Sequence, residues 1–134
     1  MILVDSSVWI DYFNGRSAPQ VDILEHLLTT QPLAIGDLIL VEVLQGFRQD
    51  ADYETAKQLL TSLTVFNLLD GNLALKSAEN FRTLRKQGIT IRKTIDVIIA
   101  TFCIEKGHSL LFLDKDFVPF VQRLGLNAVV IEQT

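Results

Sequence analysis

Apolar residues along this chain fall into two kinds of run. Short, mainly apolar runs, at Ile2-Leu3-Val4, Leu33-Ala34-Ile35-Gly36, Val65-Phe66-Asn67-Leu68-Leu69, Leu110-Leu111-Phe112-Leu113 and Ala128-Val129-Val130-Ile131, read as buried strands. Between them the apolar positions recur at helical spacing. Val8, Trp9, Tyr12 and Phe13 mark a helix that opens at Asp5-Ser6-Ser7 and stops at Asn14-Gly15. A second helix covers Val21 to Thr29, and Asp37 caps a third, Leu38 to Leu44, ending near Phe47. Asp52 opens a polar-faced helix through Leu63. A long helix from Asn72 to Gln87 stops at Gly88, one from Thr94 to Glu105 stops at Gly107, and a last one spans Phe117 to Leu124.

Strands that are apolar throughout and alternate with helices predict a mostly parallel sheet with both faces covered, a three-layer α/β/α sandwich. No repeat, low-complexity tract or linker interrupts residues 1–134, so a single domain is expected. In sheets of this kind ligands bind beyond the carboxyl ends of the strands. The chain's polar exceptions are best judged against that edge.

Composition narrows the class. A domain of 134 residues buries roughly two thirds of its unfolded surface and needs no staple. The lone Cys103 can form neither a bridge nor a zinc site, in keeping with a reducing, intracellular setting. The N-terminus lacks the pattern of a secretory signal, and no apolar run approaches the ~20 residues that span a bilayer. A soluble cytoplasmic protein is expected. The net charge of −4 argues against a generic electrostatic binder of nucleic acid. It leaves room for a nuclease, because metal-binding carboxylates count as negative charge.

Most acidic residues sit in polar stretches, but four do not. Asp5 follows Ile-Leu-Val, Asp114 closes Leu-Leu-Phe-Leu, Asp96 opens an apolar helix, and Glu42 interrupts Leu-Ile-Leu-Val-Glu-Val-Leu. The first three also suit turns or helix caps. Glu42 has no such explanation, and Arg48 is the only cation close to it in sequence. The predicted sheet offers a common one: Asp5 and Asp114 lie at strand ends, and Asp96 and Glu42 in first turns of helices starting at the same edge. Four converging carboxylates need a cation or protons. Hard oxygen donors without His or Cys select Mg²⁺ or Mn²⁺, and phosphodiester hydrolysis is the chemistry such a site suits. Asp116 is a fifth candidate, either as a metal ligand or supporting group or, slightly favoured, as the N-cap of the helix from Phe117.

The opening Met-Ile-Leu-Val-Asp5-Ser6-Ser7-Val-Trp-Ile-Asp-Tyr-Phe, with Glu42, Thr94-Ile-Asp96 and Asp114-Lys-Asp116-Phe117, resembles the PIN-domain ribonucleases, specifically the VapC toxins of toxin–antitoxin pairs. The similarity runs over essentially the whole chain. It implies an α/β/α fold and a Mg²⁺- or Mn²⁺-dependent endoribonuclease in which Asp5, Glu42, Asp96 and Asp114 bind metal. It also implies a further acid at Asp116, supporting hydroxyls at Ser7 and Thr94, a homodimer, and a VapB-like antitoxin. One position departs from the pattern: relatives often carry Thr or His two residues before the fourth acid, and this chain has Phe112.

An RNA substrate needs cations for its phosphates. Arg92 and Lys93, just ahead of Asp96, are the leading candidates, with Lys115 beside Asp114; Arg82, Arg85 and Lys86 fit equally well as a solvated helix face. Trp9, Tyr12 and Phe13 are expected in the core or a dimer contact rather than as base-stacking groups. His26 and His108 are expected at the surface or in loops, and Cys103 in the core. Two other classes remain: a catalytically inert PIN-like module that only binds protein, and another Mg²⁺-dependent phosphohydrolase. A phosphatase of the haloacid dehalogenase type wants a second Asp two residues after the first, where this chain has Ser7, and a response-regulator receiver wants an adjacent acidic pair.

Overall fold

The computed structural model describes residues 1–129, so Val130 and Ile131 of the last expected strand, and Glu132, lie outside the described residues. The elements are β1 (Ile2–Val4), α1 (Ser6–Phe13), α2 (Pro19–Thr30), β2 (Leu33–Gly36), α3 (Asp37–Leu44), α4 (Asp50–Thr61), β3 (Thr64–Phe66), α5 (Gly71–Lys86), α6 (Thr94–Lys106), β4 (Ser109–Leu111), a single 3₁₀ turn (Lys115–Phe117), α7 (Val118–Leu124) and β5 (Asn127–Ala128). The five strands form one sheet in the order β3-β2-β1-β4-β5, every pairing parallel. Helices α1 to α4 pack as one group and α5 against α6 as another, giving the expected α/β/α arrangement around the sheet.

The core lies between these layers. Leu3, Val4, Ala34, Ile35, Leu110 and Leu111 are buried on the strands, and Trp9, Leu24, Ile39, Leu60, Leu84, Ile99 and Phe120 close over them from the helices. Helix α6 is largely buried through its middle, from Asp96 to Cys103, with Thr101 at 0% exposure. Its hydroxyl accepts from Asn80 Nδ2 of α5 at 3.0 Å, so this pair of buried polar groups satisfies itself. Among the described residues no helix is long and apolar enough to cross a membrane.

Several ends differ from the sequence reading, each for a local reason. Helix α3 begins at Asp37 with Gly36 in the capping position; the Asp37 carboxylate instead accepts from Leu38 N at 2.8 Å and from Leu68 N at 3.1 Å. That second bond takes a backbone donor out of ladder reach, so β3 stops at Phe66 and not at Leu69. Leu68 then plugs the end of the sheet. A Cβ on Gly36 would sit 2.3 Å from its side chain, so only glycine fits there without repacking. Helix α4 starts at Asp50, which joins Asp52 in the first turn, where both acids suit the positive end of the helix dipole. The segment from Phe117 is a 3₁₀ turn running into α7, with Pro119 in the first helical turn, where a missing N–H costs little. His108 lies in the loop before β4, yet it is half-buried and stacks on Phe66 and Phe102 at 5.0 and 5.7 Å.

Candidate metal centre

The chain leaves β1 through β2 to β3 on one side and returns to place β4 on the other, so strand order reverses between β1 and β4. Side-by-side strands whose connections diverge leave a crevice at their carboxyl ends. Asp5 stands at the end of β1, and its N–H donates to Leu111 O of β4 at 2.9 Å. Asp114 follows β4 after a short turn. Ser7 ties the two together: its hydroxyl donates to Asp5 Oδ2 at 2.6 Å and accepts from Leu113 N at 3.3 Å. By claiming the Leu113 donor it ends β4 at Leu111 and turns the chain toward Asp114.

Asp5 and Asp114 both cap helices. Asp5 Oδ2 accepts from Ser7 N at 3.2 Å at the head of α1, and Asp114 Oδ1 accepts from Asp116 N at 2.9 Å at the head of the 3₁₀ turn. The cap expected of Asp116 therefore belongs to Asp114. The tight turn instead folds the Asp116 side chain back, so that carboxylate oxygens of Asp96, Asp114 and Asp116 all lie within 4.8 Å of one another. Asp96 reaches this point from the first turn of α6. Glu42 lies in the second turn of α3, not the first, is half-buried and, like Asp5, stands outside that group of three. Arg48 makes no ion pair with it among the described residues; Ser6 Oγ donates to Glu42 Oε1 at 3.0 Å.

Ser6 is a further member of the site, signalled in the sequence by the pair of hydroxyls directly after Asp5. Two hydroxyls follow Asp5 at a helix start: Ser7 holds Asp5, and Ser6 holds Glu42. Thr94, by contrast, is exposed at the start of α6, and no hydrogen bond joins its hydroxyl to Asp96 among the described residues. Phe112 packs against Phe117 at 5.3 Å, so its ring joins the apolar floor below the turn.

The electrostatics show how closely these acids share one field. Burial pushes Asp96 up to about 7, helped by the charges of Asp5, Asp114 and Glu42 and opposed by Lys93. Asp5 is also raised by burial, with a contribution from Asp114, against the hydrogen bonds from Ser7 and Ser6. Glu42 is raised by burial, less the bond from Ser6, with Asp5 adding and Lys93 opposing. Asp5 and Asp96 are 2% and 4% exposed, and Asp5 Oδ1 and Asp96 Oδ2 are buried with no hydrogen-bond partner among the described residues. An ionised oxygen in that position costs several kcal/mol unless something cationic meets it. The donors are all hard oxygens, so the set fits a hard divalent cation.

A pH signature follows. Asp5, Glu42 and Asp96 hold their protons more tightly folded than unfolded, so the folded state gains stability as pH falls through its raised pKa values toward the ordinary carboxylate range. In EDTA, the melting temperature should rise by a few degrees between pH 8 and about 5 and the trend should flatten when Mg²⁺ or Mn²⁺ is supplied. A metal-free melting temperature that falls over that interval contradicts this assignment of strained carboxylates.

Comparison with known proteins bears on this site. Residues 2–120 match the PIN domain family. The ribonuclease VapC11 of Mycobacterium tuberculosis is 29% identical over 130 residues, covering 96% of this chain and 97% of that one. Among solved structures, VapBC2 from Rickettsia felis bound to a DNA fragment from its promoter aligns with a TM-score of 0.71 at 19% identity, over 96% of this chain and 98% of that one. A toxin–antitoxin complex from Klebsiella pneumoniae aligns with a TM-score of 0.72 at 20% identity, over 97% of both. At that identity the structural matches speak to the fold alone.

Proposed function

This chain belongs to the PIN domain family, and we propose that it is a divalent-metal-dependent endoribonuclease, the toxin member of a toxin–antitoxin pair. The observation that carries the reading is the pair of buried, unpartnered carboxylate oxygens, Asp5 Oδ1 and Asp96 Oδ2, on two acids whose charges act on each other. Asp5, Glu42, Asp96 and Asp114, with Asp116, are the residues that would hold Mg²⁺ or Mn²⁺. Bound there, such an ion supplies an activated water and neutralises charge on the reacting phosphate. The protein's own part is positional. Ser7 and Ser6 fix the Asp5 and Glu42 carboxylates, and Arg92 and Lys93, exposed beside the acids, are proposed as the cations for RNA phosphates. The relative named as a VapC ribonuclease supports an RNA substrate, and a VapB-like antitoxin is proposed as partner on that same kinship. A homodimer is proposed from the family resemblance.

Purified protein should cleave single-stranded RNA in Mg²⁺ or Mn²⁺ and stop in EDTA. Asp5→Asn keeps an N-cap acceptor for Ser7 N while removing the charge, and should slow cleavage about 10²- to 10³-fold, equivalent to several kcal/mol of transition-state stabilisation. Equal rates in the variant would remove Asp5 from the chemistry. A folded wild-type chain that cleaves no RNA with either ion would favour the inert, protein-binding reading.

A further inference from the structure

The two cations assigned to RNA are already engaged. Arg92 Nε lies 3.3 Å from Asp116 Oδ2, and Lys93 Nζ lies 3.8 Å from Asp114 Oδ2. Both belong to the short segment that leads into α6, and both partners belong to the group of three oxygens around which an ion would sit. Lys93 also acts by charge on Glu42 and Asp96, so its ammonium serves the cluster as a whole and not one partner. The two side chains are 75% and 57% exposed, long, and free to swing outward without disturbing the core. Solvent-exposed pairs of this sort are weak and exchange readily.

We propose that Arg92 and Lys93 are internal counterions of the acidic crevice, which leave Asp116 and Asp114 when a divalent cation enters and thereby become available to the phosphates of the substrate. The inference rests on the metal-site reading above and adds a coupling to it. In the metal-free protein the same two cations hold the carboxylates together and are not available to RNA. In the metal-loaded protein the carboxylates no longer need them. Metal and phosphodiester then strengthen each other's binding, and by reciprocity each does so by the same factor. A chain of net charge −4 gains from such an arrangement, since its cationic rim appears only when the crevice has been neutralised.

The test uses the full chain and no activity measurement. Mn²⁺ is titrated calorimetrically into metal-stripped wild type and into Arg92→Gln/Lys93→Gln. The double variant should bind Mn²⁺ about two- to tenfold more tightly, the span open to two exposed ion pairs. In wild type, the Arg92 Nε–H signal should broaden through faster exchange with water on addition of Mg²⁺, as a guanidinium released from Asp116 requires and one that stayed hydrogen-bonded there would not show. A short single-stranded deoxyoligonucleotide, as a phosphodiester probe, should bind wild type more tightly in Ca²⁺ than in EDTA, and most of that gain should vanish in the double variant. Mn²⁺ binding that is unchanged or weaker in the variant, or an Arg92 signal indifferent to Mg²⁺, overturns the exchange while leaving the metal site standing. Failure of the wild type to bind Mn²⁺ at millimolar concentration overturns both.

Discussion

Replacement of Asp96 by asparagine is expected to reduce RNA cleavage by at least about 10³-fold, a loss of several kcal/mol at the transition state, while raising the melting temperature of the metal-free protein at pH 8. The two effects have one cause. Asp96 carries a buried oxygen without a partner, and its proton affinity is lifted to about 7 by burial and by the charges of Asp5, Asp114 and Glu42. At pH 8 the folded state must hold that carboxylate ionised among like charges, whereas the unfolded chain holds it in water. Asparagine is nearly isosteric and removes the penalty. It also removes the charge that makes the crevice worth entering for a divalent cation. Opposed movement of stability and activity is the mark of a group kept for chemistry rather than for folding. Thermal melts in EDTA and a single-turnover cleavage assay read the two arms separately. A variant both inactive and less stable would mean that Asp96 is a structural residue, and the crevice would lose its central ligand.

Trp9→Ala should be the most damaging single change to the fold. Trp9 is fully buried, with Phe13 stacked on it and Tyr12 meeting it edge-on, both at 6.0 Å between centroids. Truncating a buried tryptophan costs about 3–5 kcal/mol, enough to lower the melting temperature by roughly 10–20 °C in a domain of this size. Trp9→Phe should be far milder, because the indole nitrogen has no partner among the described residues and its loss breaks no bond. Calorimetry on the two variants distinguishes this packing role from base stacking. If Trp9→Ala melted like wild type but bound RNA poorly, the residue would belong to the substrate surface after all.

Much of the fold could be read from the chain because its parallel strands are buried on both faces. Continuous apolar runs such as Ile2-Leu3-Val4 and Leu33 to Gly36 leave little choice but a central strand. Strand ends were harder. Phe112 and Leu113 look like further strand residues by composition, and what removes them from β4 is the Ser7 hydroxyl, a partner more than a hundred positions away. Leu68 and Leu69 were lost from β3 in the same way, through Asp37. Side-chain acceptors that capture a strand's last donors leave no trace in periodicity.

The acids show the same division. Asp5, Asp96 and Asp114 could be located at the sheet's edge because a charge directly after an apolar run is conspicuous. Glu42 was conspicuous too, but its depth in α3 depends on where that helix begins, and Gly36 rather than Asp37 holds the cap. The engagement of Arg92 and Lys93 with Asp116 and Asp114 was invisible beforehand. Sequence proximity to Asp96 marked both as neighbours of the site but could not say which carboxylates they would reach.

The parallel topology also orders events in time. β1 sits at the middle of the sheet, yet one of its two neighbours is β4, near the other end of the chain. Contacts of such long sequence separation form late and slow the folding of parallel sheets. A nascent polypeptide can therefore pair β1 with β2 and β2 with β3 while still on the ribosome, but Asp5, Glu42 and Asp96 lack Asp114 and Asp116 until β4 has emerged. Truncated translation products ending before β4 would lack Asp114 and Asp116 and should stay harmless to the RNA around them. Completion of the sheet and arming of the nuclease are then the same step.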